Sequence, residues 1–210
     1  MVLVASAYVY ALELQLQGSG RGKKAVSIPV VVAGRNEPDY AAEKIREGKI
    51  DAMGVARQFL ADPAWVTKLM NGREEDIRPC ICCHNGCFNL AKYEGVPNTQ
   101  TLAETKAMCR CAVNPISMNS EKYGIRKAKT VKKVAVIGGG IGGMETARVA
   151  ALRGHKVTIY EKSGELGGVF IPAASFDFKE KDRQLIEWYR KQIRELGVEV
   201  KLNSEITDPD

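Results

Sequence analysis

The stretch "RPCICCHNGC", residues 78–87, places Cys80, Cys82, Cys83 and Cys87 close together in a chain that has six cysteines. Thiolates are soft ligands and redox groups, so this crowding points to metal or thiol chemistry rather than to packing. Cys80, Cys83 and Cys87 follow the pattern C-x2-C-x3-C, and "CRCAVNP" adds Cys109 and Cys111 further on. Such spacing on a bendable backbone suits a [4Fe–4S] cluster, which takes four cysteine ligands. A structural zinc site more typically shows two short C-x2-C pairs, and that pattern is absent. His84 reads as a loop residue beside the cysteines, and His155, in "RGHKV", as structural.

A second constellation lies in "KKVAVIGGGIGGMETARVAALRGHKVTIYE", residues 132–161. The expected strand Val134–Ile137 runs into Gly138, Gly140 and Gly143, a G-x-G-x-x-G, with a helix from about Ile141 to Leu152 and a second strand Lys156–Tyr160 ending at Glu161. The glycines serve a tight turn, close approach of backbone to pyrophosphate, and close helix–strand packing, while the helix N-terminus faces the negative charge. An acid at Glu161 suits a ribose hydroxyl and argues against a 2′-phosphate, hence for FAD or NAD. "SGELGGVF" adds the pair Gly167 and Gly168.

The elements that must position these residues are α/β in pattern. "IPVVVAG", residues 28–34, predicts a buried parallel strand covered on both faces. "RNEPDYAAEKIREGKI" predicts a helix with Pro38 in its first turn, an apolar stripe of Ala41, Ala42 and Ile45, and Gly48 as its stop. "DAMGVA", residues 51–56, predicts a second strand, and Asp62-Pro63 opens a second helix that closes at Asn71-Gly72. After the glycine loop, Leu185, Ile186, Tyr189, Ile193 and Leu196 fall at helical spacing and read as a packing face, with Trp188 and Tyr189 as core aromatics and Val198–Leu202 as a third strand. A full two-halved dinucleotide domain needs more strands, so the C-terminal part is expected to be incomplete.

Composition narrows the function classes. At 210 residues and 45% hydrophobic content the chain can bury a real core. The net charge of +6 is densest in "KYGIRKAKTVKK", residues 122–133; with a single aromatic and no nucleic-acid module, this reads as a solvated linker rather than a nucleic-acid surface. The apolar "MVLVASAYVYAL" has no basic region before it, and Glu13 ends it too early to span a bilayer, so neither an export signal nor a membrane span is expected. The expected location is cytoplasmic, where cysteines serve as ligands or redox groups rather than disulfides.

Taken together, "GR" at 34–35, "ARQFLADP" at 56–63, "RPCICCHNGC", "CAVNP" and the glycine-loop segment resemble the NADH:flavin oxidoreductases of the 2,4-dienoyl-CoA reductase and enoate reductase type. The resemblance covers nearly the whole chain but not a whole family protein. It implies the C-terminal part of a (β/α)8 barrel carrying FMN over residues 1–77, a [4Fe–4S] segment over 78–120, a basic linker over 121–131 and an incomplete Rossmann-like FAD domain over 132–210. "VLVAS", "PVVVAG" and "DAMGVA" would be barrel strands six to eight, with a helix shortened or lost between the first two.

By the same resemblance Gly34, Arg35, Ala56 and Arg57 would cradle the FMN phosphate, although many members have Gly where Ala56 stands. Cys80, Cys83, Cys87 and Cys111 would hold the cluster, with Cys82 and Cys109 as bystanders; the long gap before Cys111 keeps Cys109 a rival. Gly138, Gly140, Gly143, Glu161, Gly167 and Gly168 would bind FAD. The implied activity is electron relay from NAD(P)H through FAD and the cluster to FMN, for reduction of an activated C=C bond in a small enoyl or enoate substrate. The substrate acid would lie on barrel strands that precede residue 1, so this stretch alone is expected to lack a complete active site. The alternative is a small iron–sulfur and flavin electron-transfer module without alkene reductase activity.

Overall fold

A computed structural model describes residues 23–34, 37–87 and 109–207. The chain divides into two compact units, the first ending at Phe59 and the second beginning at Leu60. The first holds β1 (Val31–Ala33), α1 (Pro38–Arg46) and β2 (Ala52–Gly54). The strands pair in parallel, Val31 facing Ala52 and Ala33 facing Gly54. Pro38 presets φ at the start of α1, where no helical N–H is needed. Gly48, at φ +68°, takes the left-handed conformation that ends the helix.

Two expectations change here. β1 is not covered on both faces: Val32 is 4% exposed and packs with Ile50, Val30 and Tyr40, whereas Val31 is 61% exposed. A strand turns successive side chains to opposite sides, and among the described residues only Val32's side has a core. The stripe of α1 is likewise narrower, with Ala41 buried and Ile45 exposed. The segment "VLVAS" lies outside the described residues, so what stands of the first unit is a parallel β–α–β pair.

The chain continues through α2 (Arg57–Ala61), which the pattern did not predict, to α3 (Trp65–Met70). The helix expected at Asp62 begins at Trp65, after a turn that Asp62 itself holds. Its Oδ1 accepts from the Ala64 N–H at 3.1 Å, while Oδ2 accepts from Lys68 at 2.6 Å and from the Arg78 N–H at 2.9 Å. Gly72, at φ +64°, follows the close of the helix as expected.

The second unit then contains α4 (Ser120–Tyr123), β3 (Lys133–Ile137), α5 (Ile141–Leu152), β4 (Lys156–Tyr160), α6 (Phe170–Ala173), α7 (Glu180–Glu195) and β5 (Glu199–Lys201). The strands form a parallel sheet in the order β3-β4-β5, with Lys133 facing Lys156 and Thr158 facing Glu199. Val136, Val157 and Ile159 meet Met144 and Ala147 of α5 and the apolar face of α7 in one core. Leu185, Ile186, Trp188, Tyr189 and Ile193 are buried as the helical spacing predicts. The basic run is solvated: Lys122, Arg126, Lys127, Lys129 and Lys132 are exposed. It is also pinned, since Ala128 N–H donates to Arg153 O at 2.9 Å and Lys132 N–H to His155 Nδ1 at 3.1 Å. Among the described residues no helix is long and apolar enough to cross a membrane.

Residues 60–77 pack within this unit. Trp188 Nε1 donates to the Asp76 carbonyl at 2.9 Å, and Lys68 donates to the same oxygen at 2.8 Å. The Asp76 carboxylate accepts from Arg73 at 2.6 Å and pairs with Lys191 of α7. The bonds of Trp188 and Lys191 to Asp76 span 112 and 115 residues of sequence, which no local pattern encodes. Lys191, with Arg73, holds the Asp76 carboxyl below the usual carboxylate range. A folded value below the unfolded value of about 3.9 gives stability that is present above that pH and lost as pH falls through the folded value. Asp76→Asn is therefore expected to be less stable at neutral pH and to lose less on acidification below about pH 4. Denaturant midpoints at both pH values check this; parallel acid losses in parent and variant would refute it.

Candidate functional site

The glycine loop is built by exclusion. A Cβ on Gly143 would lie 1.9 Å from the Gly138 carbonyl oxygen, so only glycine lets α5 start this close to the end of β3. Gly138, at φ +97°, makes the turn. Gly140 differs: nothing lies within 4 Å of where its Cβ would be. Space is therefore open at the residue that caps the N-terminus of the twelve-residue helix α5, whose first N–H groups have no intrahelical acceptors.

The second glycine pair folds onto the first loop. Gly167 N–H donates to Gly139 O at 2.8 Å, the two segments bridge in parallel at Gly140 and Gly167, and a Cβ on Gly168 would come within 3.1 Å of Gly140 Cα. Gly167 at φ +132° and Gly168 at φ +55° take conformations that side chains resist.

Glu161 stands at the end of β4 and is 6% exposed. Its Oε2 accepts from the Gly139 N–H at 2.5 Å, and its Oε1 accepts from both the N–H and the hydroxyl of Ser163 at 2.8 Å. The carboxylate thus braces the loop from below, a role the sequence reading did not anticipate. An ionised carboxylate offers about four lone-pair sites, so three bonds leave room on Oε2 for a further donor such as a ribose hydroxyl. The Ser163 and Gly139 N–H groups hold the carboxyl below the usual carboxylate range. These features fit a dinucleotide's pyrophosphate and ribose.

The cysteines come from two strands of irregular backbone. Arg110 N–H donates to Gly86 O at 2.5 Å, and a Cβ on Gly86 would lie 2.9 Å from Arg110 O, so a glycine lets residues 109–112 lie against the first cysteine loop. Cys111 is half-buried, accepts from the N–H groups of Val113 and Asn114, and feels Cys80 and Cys83; burial pushes its thiol up. Burial also pushes up Cys109, whose electrostatic neighbour is Cys87. Cys82, at φ 55°, turns its sulfur back toward Cys80 O at 3.7 Å. Among the described residues no three His, Cys, Asp or Glu side chains gather as a single-ion site. A cluster makes a different demand, since each of its four thiolates binds a different iron. A partly buried thiol set drawn from two facing segments fits such a group, whose positive irons would offset the cost of taking thiolates out of water.

Gly34 and Ala56 follow the adjacent parallel strands β1 and β2 and are both exposed, and Arg57 is half-buried beside Ala56. Arg35 lies outside the described residues. Sequence reasoning missed Arg78, Ser163 and the Asp76–Trp188 contact. Arg78 stands in the quoted cysteine stretch, but its partners at Val113 and Trp188 are distant in sequence.

Replacing Glu161 by Ala removes the acceptor of the buried Gly139 N–H, and leaving that donor unsatisfied costs about 1–3 kcal/mol. Amide exchange at Gly139 is expected to accelerate in nucleotide-free protein. Unchanged exchange there would show that the brace is unimportant.

Residues 113–210 match the family model described as pyridine nucleotide-disulphide oxidoreductase. The cinnamate reductase of Clostridium sporogenes is 42% identical over 86% of this chain and 26% of its own length. The NADH oxidase of Thermoanaerobacter brockii is 38% identical over 85% of this chain and 26% of its length. The solved structure of a 2-naphthoyl-CoA reductase in complex with 2-naphthoyl-CoA superposes with a TM-score of 0.76 at 37% identity, covering 91% of this chain and 28% of that one. This chain therefore spans about a quarter of the length of the curated relatives it matches. The glycine loop, the cysteine pattern and these likenesses run in the same order along the sequence, and over about a quarter of their length the chain resembles the flavin-dependent oxidoreductases of the 2,4-dienoyl-CoA reductase and enoate reductase type.

Proposed function

We propose that this chain is the electron-handling part of an NAD(P)H-dependent reductase of activated C=C bonds. The observation that carries the reading is the approach of the Cys109–Cys111 strand to the Cys80–Cys87 loop, in the same unit as an open glycine loop over a helix N-terminus. Cys80, Cys83, Cys87 and Cys111 would hold the [4Fe–4S] cluster. The turning of Cys82 toward Cys80 O and the electrostatic contact of Cys111 with Cys80 and Cys83 favour this set over one containing Cys82 or Cys109.

Gly138, Gly140 and Gly143 would admit the FAD pyrophosphate, Glu161 would accept from its ribose, and Gly167 and Gly168 would close the loop behind it. Gly34, Arg35, Ala56 and Arg57 would bind FMN phosphate; the support is that Gly34 and Ala56 follow neighbouring parallel strands. When bound, the flavins supply hydride acceptance and delivery, and the cluster supplies one-electron transfer between them. The substrate class is a small enoyl thioester or enoate, the compounds named for the cinnamate and 2-naphthoyl-CoA reductases. Cytoplasmic placement accords with the need to keep six cysteines reduced.

Anaerobic reconstitution is expected to give roughly four iron and four sulfide per chain. Cys82→Ser is expected to keep that content and Cys83→Ser to lose it; the reverse pattern would overturn the ligand set. In an FAD titration of the full chain, Gly140→Val is expected to abolish binding, because its side chain fills the open space at the helix N-terminus. Retained affinity would put the flavin elsewhere.

A further inference from the structure

We propose that Arg78 is a positioning residue for the iron–sulfur site, holding the two cysteine strands in register. The inference rests on the cluster reading above and goes beyond it, since Arg78 is not among the ligands.

Arg78 is 7% exposed and lies two residues before Cys80. Its backbone N–H donates to Asp62 Oδ2 at 2.9 Å, which fixes the start of the first cysteine loop. Its Nη1 donates to the Val113 carbonyl at 2.7 Å, two residues beyond Cys111. Val113 N–H in turn donates to the Cys111 sulfur. One guanidinium therefore joins the approach to Cys80 with the exit from Cys111. Its plane lies over the Trp188 ring, 4.4 Å from the centroid, so the clamp is anchored on α7 of the nucleotide-binding fold. Arg148 reaches the same indole at 5.5 Å but is held by Glu145 in a two-pronged pair at 2.7 and 2.9 Å. A guanidinium stays protonated at any working pH, and its rigid fork suits two simultaneous tasks.

The clamp has a structural consequence. Four thiolates must converge on one compact group, so a shift of the Cys111 strand against the Cys80 loop pulls ligands out of reach. Removing the bond to the Val113 carbonyl frees that shift and leaves a buried acceptor unpaired.

The test uses the full chain reconstituted anaerobically with iron and sulfide, with iron counted per chain and the dithionite-reduced cluster followed by electron paramagnetic resonance. Arg78→Met is expected to lower the iron content several-fold or to change the resonance of whatever cluster forms. Arg78→Lys, which keeps a donor for the Val113 carbonyl, is expected to recover most of the iron and the parent signal. Parent iron content and parent resonance in Arg78→Met overturn the proposal. Should Arg78→Met fail to fold, Arg78→Lys decides: a folded variant with the parent cluster supports the clamp, and a folded variant without iron refutes the role given to that bond. A parent chain that itself takes up no iron and sulfide overturns the iron–sulfur reading, and with it this role for Arg78.

Discussion

The stacking of Trp188 against Arg78 and Arg148, with its Nε1 bonded to the Asp76 carbonyl, is the contact on which the second unit depends. A large indole, 5% exposed, contributes several kcal/mol of burial, and its one polar atom must find an acceptor there. The acceptor belongs to the segment leading into the cysteines, so α7, which shares a core with the glycine-loop helix α5, and the approach to the cysteine loop are ordered by one side chain. Tyr189, edge-on to Trp188 with centroids 4.9 Å apart, extends the contact, and burial pushes its hydroxyl well above the ordinary phenol range. The unit is thus one core that carries both a nucleotide loop and a thiol cluster.

That arrangement suits electron transfer on physical grounds. Transfer between centres needs fixed spacing, and fixed spacing needs the elements that bear them to share a core rather than a linker. The basic run 122–133 lies between the two motifs in sequence, yet its backbone bonds at Ala128 and Lys132 tie it to the end of α5 and the turn after it. It behaves as a strap on the surface of one body. Its lysines and arginines remain in solvent, which is the cheapest place for like charges.

How much of this was legible in the sequence depends on the range of the interaction. β3, α5 and β4 agree with the pattern to within a residue, because strand, glycine turn and helix are set by local sterics and a strict periodicity. The buried face of α7 was legible for the same reason. Asp62 caps the Ala64 N–H as its type suggests, although α3 itself starts at Trp65; the bonds its other oxygen takes from Lys68 and the Arg78 N–H were not legible. The exposure of Val31 was missed because a run of β-branched residues reveals strand tendency but not what covers it. In the site, the glycines and cysteines announce themselves by type and spacing. Arg78 and the bracing role of Glu161 do not, since each is defined by a partner that only folding brings near.

Glu161 illustrates how one residue can serve a fold and a ligand together. Its bond to the Gly139 N–H occurs inside the loop proposed to admit a pyrophosphate, so the carboxylate fixes the peptide whose neighbours would face that ligand. A loop held in this way loses less conformational freedom when it binds, and the ordering entropy is met at folding rather than at binding. Gly139 is held from the other side as well, since a Cβ there would come within 2.4 Å of Leu166 Cδ2. The middle glycine of "GGG", which the G-x-G-x-x-G pattern leaves free to vary, is therefore constrained too, by the acid below it and, more softly, by the end of a leucine side chain beside it, where Gly143 meets backbone and Gly140 meets open space.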